Sequence, residues 1–204
     1  MRMRKKKHGP ERIAACADYF IHSPDEITKK PVCLEIGCGK GAFILETARR
    51  HPEKNFIALE KVTDVILLAA EKLKAEAIPN VRLLNCDAEQ LPAFFQKGDI
   101  ACIYLNFSDP WPKKGYAKRR LTHSRFLAMY RSLLRDDGAI FFKTDNRDFF
   151  DFSLEEMRKE GFRLENITYD LHHSEGTEEN VMTEYETAFA AKGLPIHRVE
   201  AYMH

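Results

Sequence analysis

The chain has 204 residues, 44% hydrophobic and 31% charged, a composition that excludes disordered and collagenous classes and suffices for one domain with a substantial core. Its formal net charge of +1 excludes polyanion binding carried by total charge alone, so any such role must lie in local clusters. Five cysteines without a C-x-x-C pair argue against a metal site or a disulfide scaffold and fit a reducing, cytoplasmic compartment; no apolar run is long enough for a membrane-spanning helix.

Residues 1–10 read as a basic arm carrying Arg2, Arg4, Lys5, Lys6 and Lys7, ahead of a single domain over 11–204. The arm is not a secretory leader, because His8-Gly9-Pro10-Glu11-Arg12 stands where an apolar stretch would be needed. Glu11 to Phe20 predicts a short helix. Val32 to Ile36 is a strand, Gly37 to Gly41 a glycine turn, and Ala42 to Arg50 a helix ended by Pro52. Asn55 to Leu59 predicts a second strand and Val62 to Ala77 a helix. Val81 to Asn85 and Ile100 to Leu105 predict the third and fourth strands. Ser124 to Leu134 is helical, Ala139 to Lys143 a fifth strand, and Asp148 to Glu160 a helix ending at Gly161. Phe162 to Leu171 predicts a sixth strand, and the alternation in Thr183 to Ala190 a seventh. The pattern predicts an α/β fold: a mostly parallel seven-stranded sheet with helices on both faces. With no full helix predicted between the last two strands, a hairpin would make the C-terminal strand antiparallel. Ligands in such sheets bind beyond the carboxyl ends of the strands.

The first strand runs into Glu35-Ile36-Gly37-Cys38-Gly39-Lys40-Gly41. Glycines at alternate positions allow a sharp turn and close backbone approach to a ligand. The spacing is G-x-G-x-G, unlike the dinucleotide fingerprint, and Glu35 two residues earlier suits a cationic amino group better than a pyrophosphate. S-adenosylmethionine carries such a group. Glu60, closing the second strand, stands where an acid accepts hydrogen bonds from ribose hydroxyls. Asp87, after the third strand, is placed to meet the adenine edge itself or through neighbouring backbone.

The fourth strand leads into Asn106-Phe107-Ser108-Asp109-Pro110-Trp111-Pro112-Lys113-Lys114, followed by the acid-free run Lys113, Lys114, Lys118, Arg119 and Arg120. Two prolines fix the loop, the only tryptophan lies between them, and Asp109 sits where a transferred group would be. Acids gather later, at Glu175, Glu178, Glu179, Glu184 and Glu186. His172-His173, in a polar segment, reads as an exposed loop.

The glycine turn, the D-P-W-P-K-K loop and Thr183-Glu184-Tyr185-Glu186 together resemble the tRNA (guanine-N7-)-methyltransferases, from about Val32 through Lys192-Gly193-Leu194-Pro195-Ile196. The resemblance implies a Rossmann-like class I methyltransferase fold and methyl transfer from S-adenosylmethionine to N7 of a guanine in the tRNA variable loop. It implies cofactor contacts at Glu35, Gly37, Gly39, Gly41, Glu60, Asp87 and Asp109, with Asp109 also catalytic. Substrate contacts are implied at Lys113, Asp145, Thr183, Glu184, Tyr185 and Glu186, and RNA contacts at Gly115, Tyr116, Ala117, Lys118, Arg119 and Arg120. The implied partner is tRNA, and the protein a monomer or homodimer. Three other readings share some of these features: an exocyclic amino-methyltransferase, an NAD-dependent oxidoreductase, and an RNA-binding module without catalysis.

Overall fold

A computed structural model describes residues 7–28, 30–174 and 180–203. Arg2, Arg4, Lys5, Lys6, Glu175, Glu178 and Glu179 lie outside the described residues. Five apolar runs form the parallel part of the sheet: β1 (Val32–Ile36), β2 (Asn55–Leu59), β3 (Val81–Leu84), β4 (Ile100–Asn106) and β5 (Leu134–Thr144). With β6 (Arg163–Thr168) and β7 (His197–Tyr202), the order is β3-β2-β1-β4-β5-β7-β6. Only β7 runs antiparallel, pairing with β5 on one side and β6 on the other. The mostly parallel sheet with one antiparallel C-terminal strand is therefore as expected.

The residues forming that strand are not. Thr183 to Ala190, expected as the seventh strand, makes a helix, α6 (Glu184–Ala190). Thr183 caps it: the Glu186 N–H donates to Thr183 Oγ1 at 2.9 Å, and Glu184 and Glu186 suit the positive end of a helix. Tyr185 and Phe189, four apart, stack with centroids 4.4 Å apart, which a helix permits and a strand does not. The chain thus passes through α6 between β6 and β7 rather than through a tight hairpin.

The other helices are α1 (Gly9–Ala14), α2 (Ala42–Arg50), α3 (Thr63–Glu76), α4 (Ser124–Leu133) and α5 (Arg147–Lys159). The first stops short of the expected Phe20, because burial overrides local propensity. Phe20 and Ile21 are buried, and the Ile21 N–H donates to Leu83 O at 2.8 Å, extending the β3 edge. Each face of the sheet buries its own core. One joins β1, β4 and β5 to α4 and α5 through Tyr130, Phe142, Phe149 and Phe150. The other joins β1 to β3 with α2 and α3 through Ile44, Phe56, Ile66 and Leu73. Burial on both faces explains why β1 is apolar throughout except for Glu35. From β1 the chain builds outward through β2 and β3, and from β4 outward through β5, so their carboxyl ends open a crevice.

Candidate active site

The glycine turn occupies that crevice. Gly37, Gly39 and Gly41 all have left-handed backbone, at φ 82°, 57° and 80°. A Cβ at Gly37 or Gly39 would meet nothing within 4 Å, because both face open cleft. A Cβ at Gly41 would lie 2.9 Å from the Ala69 Cβ, so this glycine serves the packing of α2 on α3.

Two cavities meet over the turn and share Gly37 and Phe107. The first, about 290 Å³, is bounded by Glu60, Val62, Asp87, Asp109, Trp111 and Arg119. The second, about 510 Å³, is bounded by Glu35, Gly39, Lys40, Phe43, Thr183 and Tyr185. Acids from the ends of three strands and from the loop after β4 therefore converge on one cleft. Glu35 is 2% exposed. Asn106 Nδ2 donates to its Oε1 at 3.1 Å, while Oε2 is buried without a partner among the described residues. Burial pushes the Glu35 carboxyl up to about 7, against the Asn106 hydrogen bond and the charge of Lys143, which pull it down. The Ser108 hydroxyl, lining the first cavity, is a second orphan. Orphaned buried polar atoms beside an open cavity are the arrangement a polar, cationic ligand completes. Glu60 accepts from Val62 N at 2.9 Å and Gly39 N at 3.3 Å, tying the loop after β2 to the glycine turn. Asp87 is exposed and accepts from Glu89 N at 3.1 Å as it caps a short 3₁₀ turn.

Asp109 projects from a constrained loop. Phe107 and Trp111, on either side of it, both have left-handed backbone, at φ 52° and 42°. Such conformations cost about 1–3 kcal/mol each and persist only where surroundings enforce them. The Phe107 N–H donates to Lys143 O at 2.9 Å, and Arg120 holds the Trp111 end. Its Nε donates to Pro110 O at 2.8 Å and its Nη2 to Trp111 O at 3.1 Å, with the guanidinium 4.2 Å above the Phe152 ring. Arg120, expected to contact RNA, thus has two of its guanidinium N–H groups bonded to carbonyls of this loop. The Asp109 carboxylate, by contrast, is exposed at the cavity and has no protein partner among the described residues.

Gly115, Tyr116, Ala117, Lys118 and Arg119 form an outward 3₁₀ segment beginning after Lys113. Lys113, Lys114, Lys118 and Arg119 have no carboxylate partner among the described residues. Arg119 lies 4.9 Å from the Trp111 ring centroid and 4.7 Å from that of Tyr116. Opposite, Tyr185 is 44% exposed, with its ring 5.0 Å from Phe107 and its hydroxyl donating to Asp145 Oδ2 at 3.4 Å. Glu184 pairs with Lys40 at 3.0 Å and Lys72 at 2.9 Å on the surface. Glu186, expected at the substrate, is 0% exposed and bonded to Lys143 rather than lining the cleft. His172, expected in an exposed loop, is half-buried with its Nε2 3.5 Å from Glu186. Asn106, Phe107, Lys143 and Asn180 were not singled out from the sequence. Only the strand-end positions of Asn106 and Lys143 could have flagged them.

A family model described as "Putative methyltransferase" matches residues 29–199. A tRNA (guanine-N(7)-)-methyltransferase of Geobacillus kaustophilus (strain HTA426) is 48% identical over 212 residues, covering 98% of this chain and 96% of the relative. One of Limosilactobacillus reuteri (strain DSM 20016) is 47% identical over 210 residues, covering 98% and 99%. Among solved structures, an antibiotic-related methyltransferase aligns with a TM-score of 0.62 at 16% identity, covering 99% of this chain and 96% of that one. A SAM-dependent methyltransferase from Aquifex aeolicus aligns at 0.58 and 13% identity, covering 98% and 100%. The structural likenesses establish the fold, and the sequence identity goes further: the chain belongs to the tRNA (guanine-N(7)-)-methyltransferase family.

Proposed function

We propose that this protein transfers a methyl group from S-adenosylmethionine to N7 of a guanine in the variable loop of tRNA. S-adenosylmethionine supplies an electrophilic methyl group on a sulfonium. The observation that carries the reading is the meeting of two unlike environments at Asp109. Behind it lies the acid-lined cleft with the orphaned Glu35 oxygen, and in front lies a basic segment without counter-charges among the described residues.

Glu35, Glu60 and Asp87 would hold the cofactor, Glu35 against its amino group, Glu60 against the ribose and Asp87 near the adenine. Ser108 offers a further hydrogen bond. Guanine N7 has a lone pair and no proton to lose, so the reaction needs no general base. The chain's task is alignment, which in favourable cases removes about 7–11 kcal/mol of barrier. Positive charge develops on the purine during transfer, and the Asp109 carboxylate stabilises it. Tyr185 and Asp145 flank the base from the opposite wall. N7 lies on the major-groove edge, unreachable in an A-form helix and open in a loop, which fits a variable-loop target. Lys113, Lys118 and Arg119 take phosphates, fixing position without reading sequence.

The test is transfer of labelled methyl to unmodified tRNA followed by nucleoside analysis. 7-Methylguanosine at one variable-loop site is expected. A methyl group on an exocyclic amine would overturn the reading.

A further inference from the structure

Lys143 and Glu186 form an ion pair whose side chains are 7% and 0% exposed. All three protons of the Lys143 ammonium have acceptors: Glu186 Oε2 at 2.6 Å, Val181 O at 2.9 Å and Asn180 Oδ1 at 3.1 Å. Asn180 Nδ2 closes the ring by donating to Glu186 Oε1 at 2.8 Å. The network joins the penultimate residue of β5 to residues 180–186, 37 to 43 positions away. Two residues beyond Lys143 stands Asp145, which receives the Tyr185 hydroxyl. The same strap carries Thr183 and Tyr185 along one wall of the cleft.

Such a lock is needed because α6 has only seven residues and cannot hold itself. The outer fastening, Glu184 with Lys40 and Lys72, is exposed and contributes little. A buried ion pair adds little stability over an apolar filling of the same volume, but it admits one geometry.

We propose that Lys143 and Asn180 are positioning residues: with Glu186 they fix the register of the strap 180–190, so that Thr183 and Tyr185 stand correctly against the incoming base. The proposal rests on the functional reading above for its kinetic consequence, though not for its structural one.

Lys143→Met alone would leave the buried Glu186 with only the half-buried His172 imidazole as a possible counter-charge and is expected to fold poorly. The decisive protein is Lys143→Met/Glu186→Gln, neutral at both ends. Three quantities are compared with the wild type: S-adenosylhomocysteine affinity by calorimetry, steady-state transfer to tRNA, and amide exchange by mass spectrometry. The folded double variant should bind S-adenosylhomocysteine within about threefold of the wild type. Its kcat should fall about 30-fold or more, in line with the roughly 100-fold loss that a misplacement of about 1 Å can produce. Amides in 180–190 should exchange at least about tenfold faster while those of β5 stay protected. Unchanged exchange in 180–190 would overturn the lock. Faster exchange with unchanged kcat would overturn the positioning role, as would a large loss of S-adenosylhomocysteine affinity with kcat intact. Should the wild type itself methylate no tRNA, the functional reading fails while the exchange result still decides the lock.

Discussion

At the residue scale, Asp109 and Glu35 show how one side-chain chemistry serves two tasks by placement. Asp109 is exposed and unpartnered among the described residues, held by a loop that Arg120 clamps. Asp109→Asn keeps the shape and removes the charge. Turnover should fall about 10²–10³-fold, as when an electrostatic stabiliser of the transition state is lost, with the fold retained. Near-normal kcat in that variant would remove Asp109 from the mechanism. Glu35 is buried, and its carboxyl is raised from the ordinary range to about 7. Raised in the folded state, it binds its proton more tightly there than in the unfolded chain. Its contribution to stability is therefore full below about 4.5 and is lost as pH rises through about 7. In cofactor-free protein, the stability of Glu35→Gln relative to wild type should grow across that interval and level off above it. The total change should be on the order of 3 kcal/mol. Urea unfolding at several pH values measures this, and a pH-independent difference would contradict it. The convergence of Glu35, Glu60, Asp87 and Asp109 on one cleft was legible, because the residues at and after strand ends line the crevice of such sheets. The loop-bracing part of Arg120 was not legible, because a basic run does not reveal which member turns inward to cap carbonyls. Lys143 was missed because an ion pair across 43 positions leaves no local pattern.

At the element scale, the glycine turn divides its work. Gly41 lies against Ala69 and Gly39 against open cleft. Gly41→Ala should cost about 1–3 kcal/mol, lowering Tm by roughly 2–10 °C for a chain of this length. Gly39→Ala, with equally left-handed backbone but free space, should weaken cofactor binding more than Gly41→Ala does. Thermal melts beside calorimetric titration separate the two, and the reverse ranking would contradict the assignment. The central elements β1, α2 and β2 were legible to the residue, because apolar runs bounded by glycine and proline leave one reading. The segment after Thr183 was not. Its short alternation satisfies a strand and a helix alike, and the deciding facts are the Thr183 cap and the Lys143 anchor. The end of α1 was likewise decided by Phe20 joining the β3 edge.

At the scale of the whole molecule, the antiparallel C-terminal strand was expected from the absence of a predicted crossover helix. It is found at His197–Tyr202, inserted between β5 and β6. No helix among the described residues is long and apolar enough to cross a membrane. The charge distribution matters more than the total. Near neutrality, with Lys113, Lys114, Lys118 and Arg119 uncompensated beside the cleft, predicts RNA binding localised there and sensitive to salt. Lys113→Gln/Lys118→Gln should reduce the slope of log affinity for tRNA against log salt by about 1–2 while leaving cofactor affinity unchanged. An unchanged slope would move the phosphate contacts elsewhere. The most direct test of N7 chemistry uses tRNA in which the variable-loop guanine is replaced by 7-deazaguanine. That base keeps its Watson–Crick edge and lacks only the accepting nitrogen. Methyl transfer should be abolished while the substituted tRNA still competes with the natural one for binding. Transfer persisting at that nucleotide would place the methyl group on another atom.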